Sequence, residues 1–395
     1  MNQKQLLLLV LVLAVLGGAG VMLLKKDSTS WQGGGDGAAG KLLGDLPVGE
    51  ELSRFIIQQG TNTLTLAKGE GVWSVMERGG YPANYPEISR TVLMLRDLKA
   101  TQVEVVTEAQ LARLELLDPA SSEGGGTLIE FQDKAGKSLA ALVLGKPQTR
   151  KESRPAQFGG GGEEMEVPVG RWVRAPDDKT RVELVSDPLS NLEALPQAWL
   201  SKNFFKVEKI KSLEVVYPDE TTNSFKLSRE SESGDWTMAG LQEQEELDAS
   251  KTSGLNYALN SPSFDDVIVE VDEVKLGLDK PTTLTIETFD GFFYEIKGGS
   301  KQEEMYPLRV AVKGRYPRER AAVEGEDESV KLQQDKEFAD TLKTRDEKLA
   351  QEKSFEQWTY LVPTWTLNSV LKTRGDLVKE KEEVKAEEPV PASSE

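Results

Sequence analysis

The chain opens on an uncharged run, Leu6 to Leu24, bounded by Lys4 on one side and by Lys25 and Lys26 on the other. A helix needs ~20 residues to cross a bilayer core, so the run predicts a transmembrane anchor, here residues 1–26. The competing reading is a cleaved signal peptide, whose apolar region is ~7–15 residues long and ends at small residues. Gly18-Ala19-Gly20 is a poor site of that kind, and Val21, Met22, Leu23 and Leu24 continue past it, which favours an uncleaved anchor. Residues 27–50 are rich in Gly and small polar side chains, the composition of a flexible linker.

Beyond the linker the pattern alternates between the period of a strand and that of a helix, and does so twice in one order. The first pass runs through Phe55-Ile56-Ile57, Leu64-Thr65-Leu66, Trp73-Ser74-Val75, a helix near 86–98, Val103 to Val106, Leu116-Leu117-Asp118-Pro119 and Thr127 to Phe131. The second runs through Leu213 to Val216, Phe225-Lys226-Leu227, Trp236-Thr237-Met238, a helix near 249–260, Val267 to Val271, Gly277-Leu278-Asp279-Lys280-Pro281 and Thr283 to Glu287. Trp73 and Trp236 hold equivalent places. Asn84 with Glu87 forms a capping signal, as does Thr107 with Gln110, and Asp248 caps the later helix. Asp290-Gly291 predicts a hairpin turn. Connections this short suit antiparallel pairing. The expected fold is α+β: two tandem copies of a mainly antiparallel sheet-plus-helix unit, over residues 51–186 and 187–315, between an N-terminal transmembrane helix and a C-terminal helical segment.

Residues 316–378 read as that segment, first charged, with Phe338, Leu342 and Leu349 on one stripe, then aromatic through Phe355, Trp358, Tyr360 and Trp365. Pro363 should break or kink a helix there. The aromatics either fold back onto the second copy or stay exposed as a partner-binding patch. Residues 379–395 are charged and poor in apolar side chains, and are expected to be disordered.

Composition narrows the chemistry. Among 395 residues there are 48 basic and 66 acidic side chains and neither Cys nor His, for a net charge of −18. Disulfides, thiol nucleophiles, lipid-modified cysteine and imidazole-based catalysis are excluded. Such acidity argues against nucleic acid as a partner, because phosphate binding needs Lys and Arg. It also suits the anionic cytoplasmic leaflet poorly, so the body is placed on the periplasmic side of a bacterial inner membrane, although the charges flanking the anchor do not set its orientation.

The repeated strand-Trp-strand, the helix, the turn at Gly277 to Pro281 and the aromatic segment running to Leu371-Lys-Thr-Arg374 together resemble domain-of-unknown-function family 4340. The resemblance covers roughly residues 50–315 and implies a membrane-anchored extracytoplasmic component associated with gliding-motility-type ABC transport systems. It supplies no catalytic residue to carry over.

Each catalytic or ligand motif meets a plainer reading. Trp73 and Trp236 could stack on a ligand, but a repeated fold repeats its core aromatics. Gly35, Gly37 and Gly40 match GxGxxG without a preceding strand, and the tetraglycine Gly159 to Gly162 lacks the GK[ST] of a phosphate loop. Ser369-Val-Leu-Lys372 and Lys251-Thr-Ser-Gly254 stand in the wrong order for a penicillin-recognising enzyme. The acidic runs at 243–248, 265–266 and 324–328 lack the order of a calcium loop. No metal or other cofactor is expected. The leading expectation is a non-catalytic accessory or binding protein that contacts the membrane through its N-terminal helix and works with ABC transporter membrane subunits. Alternatives are a cell-wall or glycan hydrolase using two carboxylates, and a scaffold that self-associates through sheet edges.

Overall fold

The computed structural model describes residues 41–43, 46–47, 49, 51–153, 164–321 and 325–381. The expected anchor, most of the linker, the tetraglycine and the tail beyond residue 381 lie outside the described residues. Among those described, no helix is long and apolar enough to cross a membrane.

In chain order the strands are β1 (Arg54–Gln59), β2 (Asn62–Lys68), β3 (Trp73–Val75), β4 (Tyr81–Pro82), β5 (Ala100–Val105), β6 (Thr127–Gln132), β7 (Ser138–Ser153), β8 (Glu164–Arg174) and β9 (Arg181–Val185). They continue as β10 (Ile210–Val216), β11 (Phe225–Ser228), β12 (Thr237–Met238), β13 (Glu245–Leu247), β14 (Asp266–Ile268), β15 (Thr282–Thr288), β16 (Phe292–Gly298), β17 (Met305–Gly314), β18 (Thr359–Pro363) and β19 (Val378–Glu380). The helices are α1 (Tyr85–Arg96), α2 (Glu108–Arg113), α3 (Ala249–Thr252), α4 (Glu328–Lys353), α5 (Thr364–Asn368) and α6 (Arg374–Leu377).

By its internal contacts the chain divides into two compact units, one taking the described residues up to Thr63 with Arg90–Ala194, the other Leu64–Ser89 with Leu195 onward. The repeat order in the sequence suggests a cut near residue 186, whereas contacts assign the segment from Leu64 to Ser89 to the second unit. In the first unit the strands run β1-β6-β7-β8-β9-β5, antiparallel throughout. Phe55 faces Phe131 and Ile57 faces Ile129 across the β1–β6 pair, all four fully buried, with the two Phe rings stacked at 4.6 Å. On these strands period-two alternation became a core face. Leu111 of α2 packs with Leu116, Val143 and Val182. That helix starts where Gln110 Oε1 accepts the Thr107 backbone N–H at 2.8 Å.

In the second unit the large sheet runs β12-β11-β10-β15-β16-β17-β18-β14, also antiparallel, and β13 pairs with β19. Starting from β1 and from β10, the two orders correspond strand for strand: β6 with β15, β7 with β16, β8 with β17, β9 with β18 and β5 with β14. Gly291 makes the expected turn between β15 and β16 at φ +84°, where a Cβ would meet the Arg315 carbonyl oxygen at 2.6 Å. Asp248 Oδ1 accepts the Ser250 N–H at 2.9 Å, and α3 tightens into a 3-10 turn over Ser253–Tyr257 rather than staying α-helical to residue 260.

Two expectations for the C-terminal part are corrected. The aromatic stretch is not one helix: Thr359–Pro363 is a strand between β17 and β14, and Pro363 then serves as the N-cap residue of the short α5. Thr359, Tyr360 and Val362 suit a pleated, buried surface, and pairing partners on both sides outweigh the helical spacing. The charged tail also begins later than expected, because Lys379 and Glu380 belong to β19, with Lys379 paired to Glu246 at 2.8 Å. Beside that strand Arg374 binds Glu245, which holds the Glu245 carboxyl down at about 2. The charged stretch before them does form a helix, α4, whose Phe338, Leu342 and Leu349 are half-buried.

Candidate interaction surface

Strands β14 and β18 carry an aromatic cluster inside the second unit. Tyr360 is fully buried and lies 4.6 Å from Phe204 and 5.0 Å from Phe264 between ring centroids. Tyr81, just after the β3 hairpin, adds its ring at 5.8 Å from Phe264 and 5.1 Å from Trp358. Phe355 closes the cluster at 5.9 Å from Phe204. Most of these pairs are edge-on or tilted, the arrangement that ring quadrupoles favour. Burial pushes the Tyr81 hydroxyl up to about 12 and the Tyr360 hydroxyl higher still. At the rim, Arg78 grips Asp266 through two hydrogen bonds of 2.6 and 2.7 Å. Lys202 sits 4.8 Å from the Phe264 ring centre and donates to the Asp265 carbonyl at 2.9 Å, and burial lowers its pKa.

The aromatics singled out in the sequence therefore separate. Phe355 and Tyr360 are core residues, Trp358 is half-buried just before β18, and Trp365 on α5 is 61% exposed. Val269, which follows β14, is 51% exposed. Trp73 and Trp236 are both buried; the Trp236 indole N–H donates to Asn256 Oδ1 at 3.1 Å, and the Arg229 guanidinium covers its ring at 4.9 Å. Tyr81, Phe204 and Phe264 went unnoticed in the sequence. Phe204 and Phe264 sit in irregular segments and Tyr81 in the two-residue β4, all too short for periodicity, and only the adjacent pair Phe204-Phe205 hinted at a buried connection.

The strongest candidate for acid-base chemistry is Glu352, 4% exposed near the end of α4. One oxygen accepts the Lys206 N–H at 3.0 Å and the other the Tyr294 hydroxyl at 2.7 Å, while Lys348 stands 3.9 Å away. Burial raises its pKa above the ordinary carboxylate range. It lines neither the pocket of about 360 Å³ in the first unit, where Arg174, Asp178, Arg181 and Glu183 meet, nor that of about 550 Å³ beside Glu270 and Asp272. In the first pocket hydrogen bonds from Thr180 hold Asp178 below its usual value, and Arg181 bonds Glu183 at 2.7 Å. Among the described residues, no group of three or more acidic side chains is placed to hold a metal ion.

Glu352 is thus committed to fastening α4. A folded pKa above the unfolded one means that its contribution to stability is full below the ordinary carboxylate range and is lost as pH rises through the folded value. Glu352→Gln is expected to keep the fold and flatten that dependence. Glu352→Ala should cost about 1–3 kcal/mol by leaving the Lys206 N–H without an acceptor. Denaturant titrations from acid to neutral pH check both.

No curated protein and no solved structure matches the chain. Residues 73–281 match the family described as domain of unknown function (DUF4340), a stretch from the β3 Trp to the Pro281 turn that spans more than half of the 395 residues. By that match the chain belongs to the domain of unknown function (DUF4340) family.

Proposed function

We propose that this protein is a membrane-anchored, extracytoplasmic accessory component of an ABC-type transport system, non-catalytic, with a duplicated body that presents a binding surface. The observation that carries the binding role is Trp365. It stands 61% exposed on the short helix that follows β18, whose Tyr360 is fully buried, and an indole left in water is a preferred anchor for a protein partner. The uncharged run at Leu6 to Leu24 supports the anchor.

Duplication is supported by the matching strand orders and by details of the turns. Glu115 and Gly277 both take left-handed backbone, at φ +55° and +66°. Lys146 N–H donates to the Leu114 carbonyl at 2.7 Å, and Ser300 N–H to the Leu276 carbonyl at 2.9 Å. Leu66 pairs with Val75 as Leu227 pairs with Met238. On this reading α4 is an insertion between β17 and β18, whose counterparts β8 and β9 are joined by a short turn.

The test is purification of the full chain from detergent extracts, followed by identification of what accompanies it. Transport subunits should appear with the wild type and be lost with Trp365→Ala, whose melting temperature should match the wild type because little is buried there. Co-purification that survives Trp365→Ala would remove this residue from the interface. Absence of transport subunits together with glycan hydrolysis that depends on an acidic side chain would replace the reading with the hydrolase.

A further inference from the structure

Edge strands β5 and β14 correspond in the two sheet orders but differ in how they are covered. Within the second unit, the turn after β3 lies against β14: Arg78 binds Asp266, and a Cβ placed on Gly79 would stand 3.5 Å from Trp358 and 3.6 Å from Val269. Among the described residues, the β5 edge has no such cover beyond its start, where Lys41 bridges Lys99. Thr101, Gln102, Glu104 and Val105 are exposed, Val105 to 82%.

The register names the counterparts. Val267 faces Tyr360 as Val103 faces Glu183, so Asp266 corresponds to Gln102, Val269 to Val105 and Trp358 to Arg181. Counting back from the helix caps Asn84 and Asp248, Arg78 corresponds to Gln242 and Gly79 to Glu243. Both residues are exposed in the turn before β13; of the neighbouring acids, Glu245 and Glu246 belong to β13 and pair with Arg374 and Lys379, so Glu243 is the acid that faces water.

We infer that the loop at Gln242 and Glu243 of one chain docks on the β5 edge of a second copy, repeating between molecules the contact that Arg78 and Gly79 make with β14. The pairings are complementary. Gln242 meets Gln102, replacing an ion pair by an amide pair, and Glu243 meets Arg181 with its stem against Val105. Lys99, exposed beside β5, adds positive charge opposite Glu243, whereas Lys179 beside β9 already lies 3.6 Å from Asp118. The two surfaces lie on different parts of the chain, so the contact is heterologous and leaves each copy with one loop and one edge unused. Such contacts propagate into a ring or a filament, and they remove the unpaired edge that native sheets otherwise protect with charges or bulges.

This inference rests on the duplication proposed above. The chain has no cysteine, so introduced thiols report without background. Full-length chains with different tags, one Val105→Cys and one Glu243→Cys, are co-expressed and oxidised in membranes. In the template contact a Cβ on Gly79 would stand 3.6 and 3.9 Å from the two Val269 methyl carbons, so side chains at these positions meet, as a disulfide with Cβ atoms ~3.5–4.5 Å apart requires. A mixed dimer is expected, with neither variant cross-linking to itself, and a chain carrying both substitutions should give a ladder. With the thiols moved to Gln102→Cys and Gln242→Cys, which the same pairing brings together and which leave Glu243 in place, Arg181→Glu should abolish the mixed product and Glu243→Arg in the partner should restore it. Absence of the mixed dimer, or self-linking of Val105→Cys through edge-to-edge pairing, would overturn the inference. Co-purification of transport subunits from the same membranes separates that failure from failure of the accessory role.

Discussion

Tyr360→Ala is expected to lower the stability of the second unit by about 3–5 kcal/mol, the usual cost of deleting a fully buried aromatic side chain. The ring is buried on all sides, against Tyr81, Phe204 and Phe264, and nothing nearby is free to collapse into the space because those rings also pack on one another or on Phe355. Tyr360→Phe should cost only about 1 kcal/mol, since the hydroxyl makes a long 3.4 Å bond to the Phe355 carbonyl. Denaturant unfolding followed by tryptophan fluorescence reads both. If Tyr360→Ala unfolds at the wild-type midpoint, the aromatic cluster is not packed as described.

Gly299→Ala is the second large effect. A Cβ at that position would stand 2.1 Å from the Leu276 carbonyl oxygen, which is backbone and has no flexible end to move aside. Relief requires parting the turn from the end of β16, with loss of the Ser300 to Leu276 hydrogen bond of 2.9 Å. Overpacking of ~1–3 kcal/mol plus about 1 kcal/mol for the bond gives a loss of about 2–4 kcal/mol. Gly145→Ala should behave alike, because its Cβ would meet the Leu114 oxygen at 2.3 Å. Glu115→Gly should change stability by less than about 1 kcal/mol: it relieves left-handed strain at φ +55° while loosening the unfolded chain. Thermal unfolding of the four variants, Gly277→Ala included, tests whether the two turns are equivalent. A tolerated Gly299→Ala would contradict the close approach.

Much of this architecture could be read from residues close together in the chain. Alternation in Leu64-Thr65-Leu66 and Leu284-Thr285-Ile286, the caps at Asn84, Thr107 and Asp248, and the Asp290-Gly291 turn depend on the dihedrals and hydrogen bonds of a few neighbours. The order of these signals suggests the duplication proposed above. Strand β18 escaped because its partners are distant. Val267 and Tyr360 are adjacent only across the sheet, and α4 intervenes between β17 and β18. Residues 355–365 taken alone fit helix or strand equally, since short apolar runs have no decisive period. The candidate surface was half legible for the same reason: composition marked the aromatics, and pairing sorted them.

Local chemistry was enough to establish an acidic chain without Cys or His, an uncharged run from Leu6 to Leu24, and mixed α and β segments. Those properties follow from side-chain composition and from periods of two and about 3.6, which need no third dimension. Folding settled which of several similar residues face water. Tyr360 and Trp365 are five positions apart and equally apolar, yet one is enclosed between neighbouring strands and the other stands outside on a short helix. Glu352 likewise resembles every other acid on α4 until Tyr294 and the Lys206 backbone surround it. Burial is a property of what arrives from elsewhere in the chain, and the free energy that fixes it comes from contacts between residues far apart in sequence.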